Sequence, residues 1–129
     1  MSIYGIGVDV VETERVERAI TRYEDRFEQR VFTEGESSYC RSFKGKACWN
    51  AFAARFAAKE AISKALGTGV GPDFNWIDLE IIKEESGKPL AVLHDGAADL
   101  AKKLGVSNVL ISLSHSEHYA VAQAVAVSD

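Results

Sequence analysis

Two carboxylates and one ammonium carry the chemistry that this chain offers: Asp9, Glu60 and Lys64. Glu60 and Lys64 stand four residues apart in the stretch from Asn50 to Gly71, NAFAARFAAKEAISKALGTGVG. That stretch reads as a helix, with Asn50 as N-cap, Gly67 as terminator and alanines between. At i and i+4 the two side chains can meet, with Glu on the favoured N-terminal side. On this helix alone the simplest reading of such a pair is an ordinary surface ion pair. Turning the helix at roughly 100° per residue places Phe52, Phe56, Ile62 and Leu66 on one apolar stripe. Ala53, Ala57 and Ala61 make a second, nearly bald face around Glu60 and Lys64, which leaves space for something other than protein. Lys59 falls by angle on the apolar stripe, where a lysine either snorkels out or serves the site; we favour the site.

Asp9 lies toward the end of a stretch, Ile3–Val11, that reads as a strand. Tyr4, Ile6, Val8 and Val10 point to one side of it; Gly5, Gly7 and Asp9 point to the other. Glycines on a strand mark a close approach by backbone or ligand, so Asp9 projects from a face stripped of side chains. A plain strand end or turn start is the alternative reading.

Thr13 caps a helix predicted to run to about Glu28, with Val16, Ile20, Tyr23 and Phe27 toward the core. Arg15, Arg18, Arg22 and Arg26 fall within about 80° of each other on this helix. Glu14, Glu17, Glu24, Asp25 and Glu28 take the remaining sector. Charges sorted in this way suit an acidic partner surface, or pairing with acids of the same or a neighbouring helix.

Thr33 and Glu36 form a capping-box pattern for a short helix over Glu34 to Ser42. Lys44–Gly45–Lys46 is a basic loop. Gly67, Gly69, Gly71 and Pro72 form a helix exit that could approach a phosphate, although Lys64 precedes the glycines and no Walker A loop is present. Trp76–Lys83 and Leu90–Leu93 read as a hairpin, Asp95 caps a helix over Ala97–Leu104 ended by Gly105, and Val109–His115 with Tyr119–Val127 form a second hairpin. This order predicts an α+β domain with a largely antiparallel sheet packed on helices. The closing strands are apolar on both faces, so one face is expected against helices and the other against another subunit. His94 reads as incidental. His115 and His118 lack further ligands for zinc, and LSHSEH is not a nucleophile elbow.

The 129 residues make one domain, residues 1–129, with 47% hydrophobic and 26% charged residues and a net charge of −4. That charge gives no support to a nucleic-acid or membrane role. Cys40 and Cys48 match no zinc or redox spacing and are expected as reduced thiols. The first residues form no signal peptide and no apolar run approaches a membrane span, so a cytoplasmic location is expected.

Gly7-Val8-Asp9 and Phe56-Ala57-Ala58-Lys59-Glu60-Ala61-Ile62-Ser63-Lys64, together with Arg26-Phe27 and the closing SHSEHYA, resemble the holo-acyl-carrier-protein synthase type of phosphopantetheinyl transferase over essentially the whole chain. The resemblance implies transfer of phosphopantetheine from coenzyme A to a serine of apo-acyl carrier protein, releasing adenosine 3′,5′-bisphosphate. It implies Asp9 and Glu60 as Mg²⁺ ligands, Lys64 on the attacked phosphate, and a homotrimer with coenzyme A between subunits. Glu60, directly or through a water, is the candidate base. Arg15 and Arg26 match docking positions for the acidic carrier; Arg18 and Arg22 join them by periodicity alone. His115 matches a histidine near the coenzyme A site, and Arg55 and Gly67 are further candidates for contact with it. Some relatives carry an acid directly after that histidine; here the residue is Ser116, so a mechanism relying on that acid does not carry over.

Two other readings compete. A non-catalytic oligomeric adaptor would use the arginines for acidic partners and keep Glu60–Lys64 as a structural pair, but it leaves Asp9 unexplained. A Mg²⁺-dependent diphosphate hydrolase would use the same groups with water as acceptor, but it has no need of a docking helix.

Overall fold

The computed structural model describes every residue except Glu24, and of Asp25 only its place in a helix. The chain begins with β1 (Ser2–Glu12), then α1 (Thr13–Arg22), α2 (Asp25–Val31), α3 (Glu34–Arg41) and the long α4 (Lys46–Leu66). A single 3₁₀ turn (Trp76–Asp78) leads into β2 (Leu79–Lys83) and β3 (Pro89–Leu93), and α5 (Asp95–Leu104), β4 (Val106–His115) and β5 (Tyr119–Ser128) complete the chain. β1, β5 and β4 form one antiparallel sheet in that order, and β2 and β3 a second. The expected α+β architecture is the one observed.

The centre of the fold is the contact between α4 and the larger sheet. A Cβ on Gly5 would stand 2.2 Å from the Ala65 carbonyl oxygen, and one on Gly7 would stand 2.0 Å from that of Ala61. Only a bare strand backbone allows the helix this close. β5 adds Ala120, Ala122, Ala124 and Ala126, all fully buried, opposite Ala53, Ala57 and Ala61. The alanine face of α4 is therefore filled by the sheet and holds no ligand. The two small-residue surfaces lie far apart in sequence, which is why periodicity alone misassigned the space between them.

The opposite face of this sheet is apolar and uncovered. Ile6, Val8 and Val10 are 64%, 56% and 60% exposed. Their cross-strand partners on β5 are Val125, Gln123 and Val121, and Leu110 of β4 extends the row of Ile6 and Val125.

The capping box at α3 is formed as expected: Thr33 Oγ1 accepts from the Glu36 amide, and Glu36 Oε1 accepts from the Thr33 amide. Other boundaries differ from expectation. α4 starts at Lys46 behind Gly45, whose φ of 61° suits glycine, so Asn50 lies inside the helix and caps nothing. Ala47, Cys48 and Trp49 are helix-compatible, and Trp49 stacks on Phe52 at 6.1 Å. The predicted first helix is two: α1 ends at Arg22 and α2 starts at Asp25. Tyr23 is exposed and not in the core, while Phe27 reaches Phe56 at 6.1 Å from the new helix direction. Glu24, one of the predicted acidic positions, lies outside the described residues.

Lys59 also differs from expectation. It is fully buried, and its ammonium donates to the Val31 carbonyl at 2.6 Å, Glu36 Oε1 at 2.7 Å and the Trp76 carbonyl at 3.2 Å. Glu36 Oε2 accepts from the Ile81 amide at 2.7 Å. Burial pulls the lysine below its ordinary pKa, and the Glu36 carboxylate opposes that pull. All three ammonium donors are satisfied, as burial of a charge demands. The pair ties α2, α3, α4, the 3₁₀ turn and β2 together; it does not serve an open site.

Cys40 and Cys48 are both free and buried, and burial pushes the Cys40 thiol up to about 12. His94 is not incidental: its Nε2 lies 2.9 Å from Glu80 Oε1, and this contact is the main reason that Glu80 is held below the usual carboxylate range. Among the described residues no helix is long and apolar enough to cross a membrane.

Candidate active site

The strand end and the helix that carry the candidate residues lie side by side. Lys64 donates to the Val8 carbonyl at 3.0 Å and to Asp9 Oδ1 at 3.2 Å. The ion partner of Lys64 is thus Asp9, and not the Glu60 that i,i+4 spacing suggests. Glu60 is half-buried, and among the described residues no side chain hydrogen-bonds its carboxylate. Burial, then the nearby Asp9 carboxylate, raise its pKa against the opposing pull of Lys64. Two carboxylates close enough to repel each other, one without a hydrogen-bond donor, favour a cation between them. Among the described residues no group of three or more His, Cys, Asp or Glu could hold a metal. A pair of carboxylates is the donor set of an ion that completes its shell with phosphate and water, as Mg²⁺ does.

Asp9 and Glu60 open into a cleft walled by Arg15, Val16 and Ala19 of α1 and by Phe27 and Phe56. The predicted partner-binding residues are divided by the break after α1. Arg15, Arg18 and Arg22 lie on α1 and Arg26 on α2, and all four are exposed. Arg15 reaches the cleft, Arg18 stands 3.7 Å from Glu12, and Arg22 lies over the Tyr23 ring.

A second cleft is lined by Tyr39, Asn50, Arg55, Lys83, Leu113 and His115, with Gly87 of the β2–β3 turn and Pro89 at the start of β3. It shares no lining residue with the first. The Arg55 guanidinium lies 4.3 Å over the Tyr39 ring and donates to the Ala51 carbonyl at 3.3 Å. Arg55 Nε and Asn50 Oδ1 are buried without hydrogen-bond partners among the described residues, so the cleft holds donors and acceptors that a polar ligand could use. Lys83 donates to the Tyr39 hydroxyl at 3.2 Å and adds a second cation.

Helix geometry explains why the clefts are separate. Arg55 and Glu60 are five residues apart on α4, about 140° around the axis, whereas Glu60 and Lys64 share a face. In the sheet, Asp9 is on β1 and His115 on β4, two strand spacings or roughly 10 Å apart. Gly67 joins neither cleft. It ends α4 in the left-handed conformation at φ 85°, about 18 Å along the axis from Arg55, with its amide donating to the Ser63 and Lys64 carbonyls. Tyr39, Asn50 and Lys83 escaped the sequence reading because three separate elements bring them together and no local pattern marks them.

Comparison with known proteins places this fold in a transferase class. The family model for the 4′-phosphopantetheinyl transferase superfamily matches residues 5–124. The holo-[acyl-carrier-protein] synthase of Koribacter versatilis is 46% identical over 123 residues, covering 95% of this chain and 97% of that protein. The crystal structure of the Neisseria meningitidis holo-[acyl-carrier-protein] synthase superposes with a TM-score of 0.88 at 32% identity, covering 98% of this chain and 99% of that one. The Bacillus anthracis synthase, solved in complex with CoA (3′,5′-ADP), gives a TM-score of 0.83 at 36% identity, with 100% of each chain covered. The chain belongs to the holo-[acyl-carrier-protein] synthase family of the phosphopantetheinyl transferases.

Proposed function

We propose that this enzyme transfers phosphopantetheine from coenzyme A to a serine of an apo-acyl carrier protein, in the cytoplasm and for fatty-acid biosynthesis. The observation that carries the reading is the first cleft, where a carboxylate pair suited to a phosphate-bound cation opens directly beside the arginine-bearing face of α1. Phosphate chemistry and an acidic protein partner are thereby served at one place.

In this reading the serine Oγ forms a bond to the pantetheine-bearing phosphorus. The bond from that phosphorus to the bridging oxygen breaks, and adenosine 3′,5′-bisphosphate leaves. Asp9 and Glu60 would hold Mg²⁺, which would lower the cost of the charge that builds on the diphosphate. Lys64 is exposed enough to turn from Asp9 to an oxygen of the attacked phosphate. Glu60 receives the serine proton through a water, since a carboxylate that also held a metal would be a poor direct base. Arg55, stacked on Tyr39, and His115 hold the phosphates of the nucleotide half. Arg15, Arg18, Arg22 and Arg26 face the acidic carrier.

One chain holds the two halves of this site in separate clefts, and its outer sheet face is apolar and uncovered. Both features support a homotrimer in which coenzyme A bridges the Arg55–His115 cleft of one subunit and the Asp9–Glu60 cleft of the next. Complementation tests this arrangement. Glu60→Ala and Arg55→Ala variants, each inactive, regain a share of activity when unfolded and refolded together. Mixed refolding that yields soluble oligomer with no activity overturns the shared site.

Charge reversal tests the docking face. Changing Arg15 and Arg26 to Glu raises the KM for carrier by more than tenfold and leaves the KM for coenzyme A within about twofold, because like charges set against each other at an interface cost several kcal/mol. Equal loss for both substrates would show that these arginines serve the nucleotide instead.

A further inference from the structure

The turn between β4 and β5 reaches across to the first turn of α1. There the His118 carbonyl accepts a hydrogen bond from the Thr13 amide at 2.8 Å, and His118 Nδ1 lies 2.7 Å from Glu14 Oε1. This matters because α1 has no cap of its own. Glu12 stands at its N-cap without a side-chain capping hydrogen bond, and Thr13 Oγ1 is buried without a hydrogen-bond partner among the described residues. The first amides of a helix need acceptors from elsewhere, and a helix of ten residues is too short to hold its own direction. Val16 and Ile20 pin its apolar side to the core. α1 also packs on α4, α2 and β1, and the hairpin tip adds the hydrogen bonds that hold its first turn.

The same tip closes the strand that ends in His115, a wall of the second cleft, while α1 walls the first through Arg15. One turn of chain therefore touches the support of both half-sites. The charged groups around the contact are Glu14 of α1, Glu117 of the turn with its Oε1 3.9 Å from His118 Nε2, and Lys46 at the start of α4, which acts on Glu14 at longer range.

We infer that His118 is a positioning residue: its Nδ1 bond to Glu14 sets the tilt of α1 over the Asp9–Glu60 cleft and so the affinity for the acidic carrier. The inference rests on the docking role proposed for α1. It explains why the cation-bearing helix is fastened to the hairpin and not capped in sequence. The Glu14 carboxyl is held below its ordinary range chiefly by this hydrogen bond, which agrees with a carboxylate accepting from Nδ1–H.

The test exploits the atom used. An Asn at 118 carries its amide nitrogen at the same bond count from Cβ as Nδ1, whereas a Gln carries it one bond further, toward Nε2. Steady-state kinetics with an apo-acyl carrier protein and coenzyme A are measured for His118→Ala, His118→Asn, His118→Gln and Glu14→Ala, beside Arg15→Glu as a docking control. Hydrogen exchange of the Thr13–Arg22 amides is followed in each. His118→Ala and Glu14→Ala are expected to raise the carrier KM about fivefold, the net worth of one exposed hydrogen-bonded pair, with the coenzyme A KM unchanged and α1 exchange faster. His118→Asn is expected to restore both readouts, and His118→Gln to restore neither. A wild-type carrier KM in His118→Ala, with Arg15→Glu still impaired, overturns the positioning role and leaves the docking face standing. A wild-type carrier KM in both variants overturns the docking reading, and the positioning role with it. Rescue by Gln as fully as by Asn, or loss of coenzyme A and carrier affinity together, also overturns it.

Discussion

Glu60→Ala lowers transfer by about a thousandfold and leaves the thermal midpoint within a few degrees of the parent. The activity loss follows from removing one carboxylate of the Asp9–Glu60 pair at the cleft. A bound divalent cation stabilises transition-state charge by several kcal/mol, and each 1.36 kcal/mol is tenfold in rate. The small effect on folding follows from the position of Glu60. It is half-buried, its carboxylate receives no hydrogen bond from a side chain among the described residues, and burial and Asp9 already disfavour its charge. Alanine removes that repulsion and keeps helix propensity. Asp9→Ala shows the same loss of activity but a larger cost in folding, because it leaves the Lys64 ammonium without its carboxylate. Single-turnover transfer and thermal unfolding on the same samples check both; a Glu60→Ala enzyme with parental transfer would remove Glu60 from the chemistry.

Lys59→Met has the opposite profile, a stability loss of about 3–5 kcal/mol. The methionine fits the space but strands the Glu36 carboxylate in a fully buried position and frees the Val31 and Trp76 carbonyls. Replacing both charges of an isolated buried pair by apolar groups is often neutral. Here the Lys59→Met, Glu36→Leu double variant recovers only part of the loss, because Glu36 also satisfies the Thr33 and Ile81 amides. Urea unfolding with an unchanged slope checks the magnitude. A double variant as stable as the parent would show that the pair acts only as a pair and not as the link between five segments.

The neighbours Lys59 and Glu60 show what the sequence made legible. Glu60 and Lys64 were readable because their relation is local, a helix face set by a spacing of four. Asp9 was readable because two glycines on its face announced a close approach, although the approaching group is the α4 backbone and not a ligand. The role of Lys59 was hidden, since its partner Glu36 lies on another helix and its other acceptors on two further segments. The alanine face of α4 was misread for the same reason: the surface that fills it is built from the first and last strands of the chain. The break between α1 and α2 left no glycine or proline to mark it. Phe27 of α2 packs beside Phe56, a long-range contact that helical periodicity does not register. The architecture itself followed from strand and helix periods and was predictable, whereas the pairing of β1 with β5 required three dimensions.

The central claim is transfer of phosphopantetheine to a carrier. Its most direct test is the intact mass of an apo-acyl carrier protein after incubation with this protein, coenzyme A and Mg²⁺, beside the same mixture with EDTA. The account predicts a gain of one phosphopantetheine, absent with EDTA. An unchanged carrier mass across several acidic carriers, with coenzyme A intact, would contradict it and favour a non-catalytic adaptor, and cleavage of coenzyme A without any carrier would favour a hydrolase.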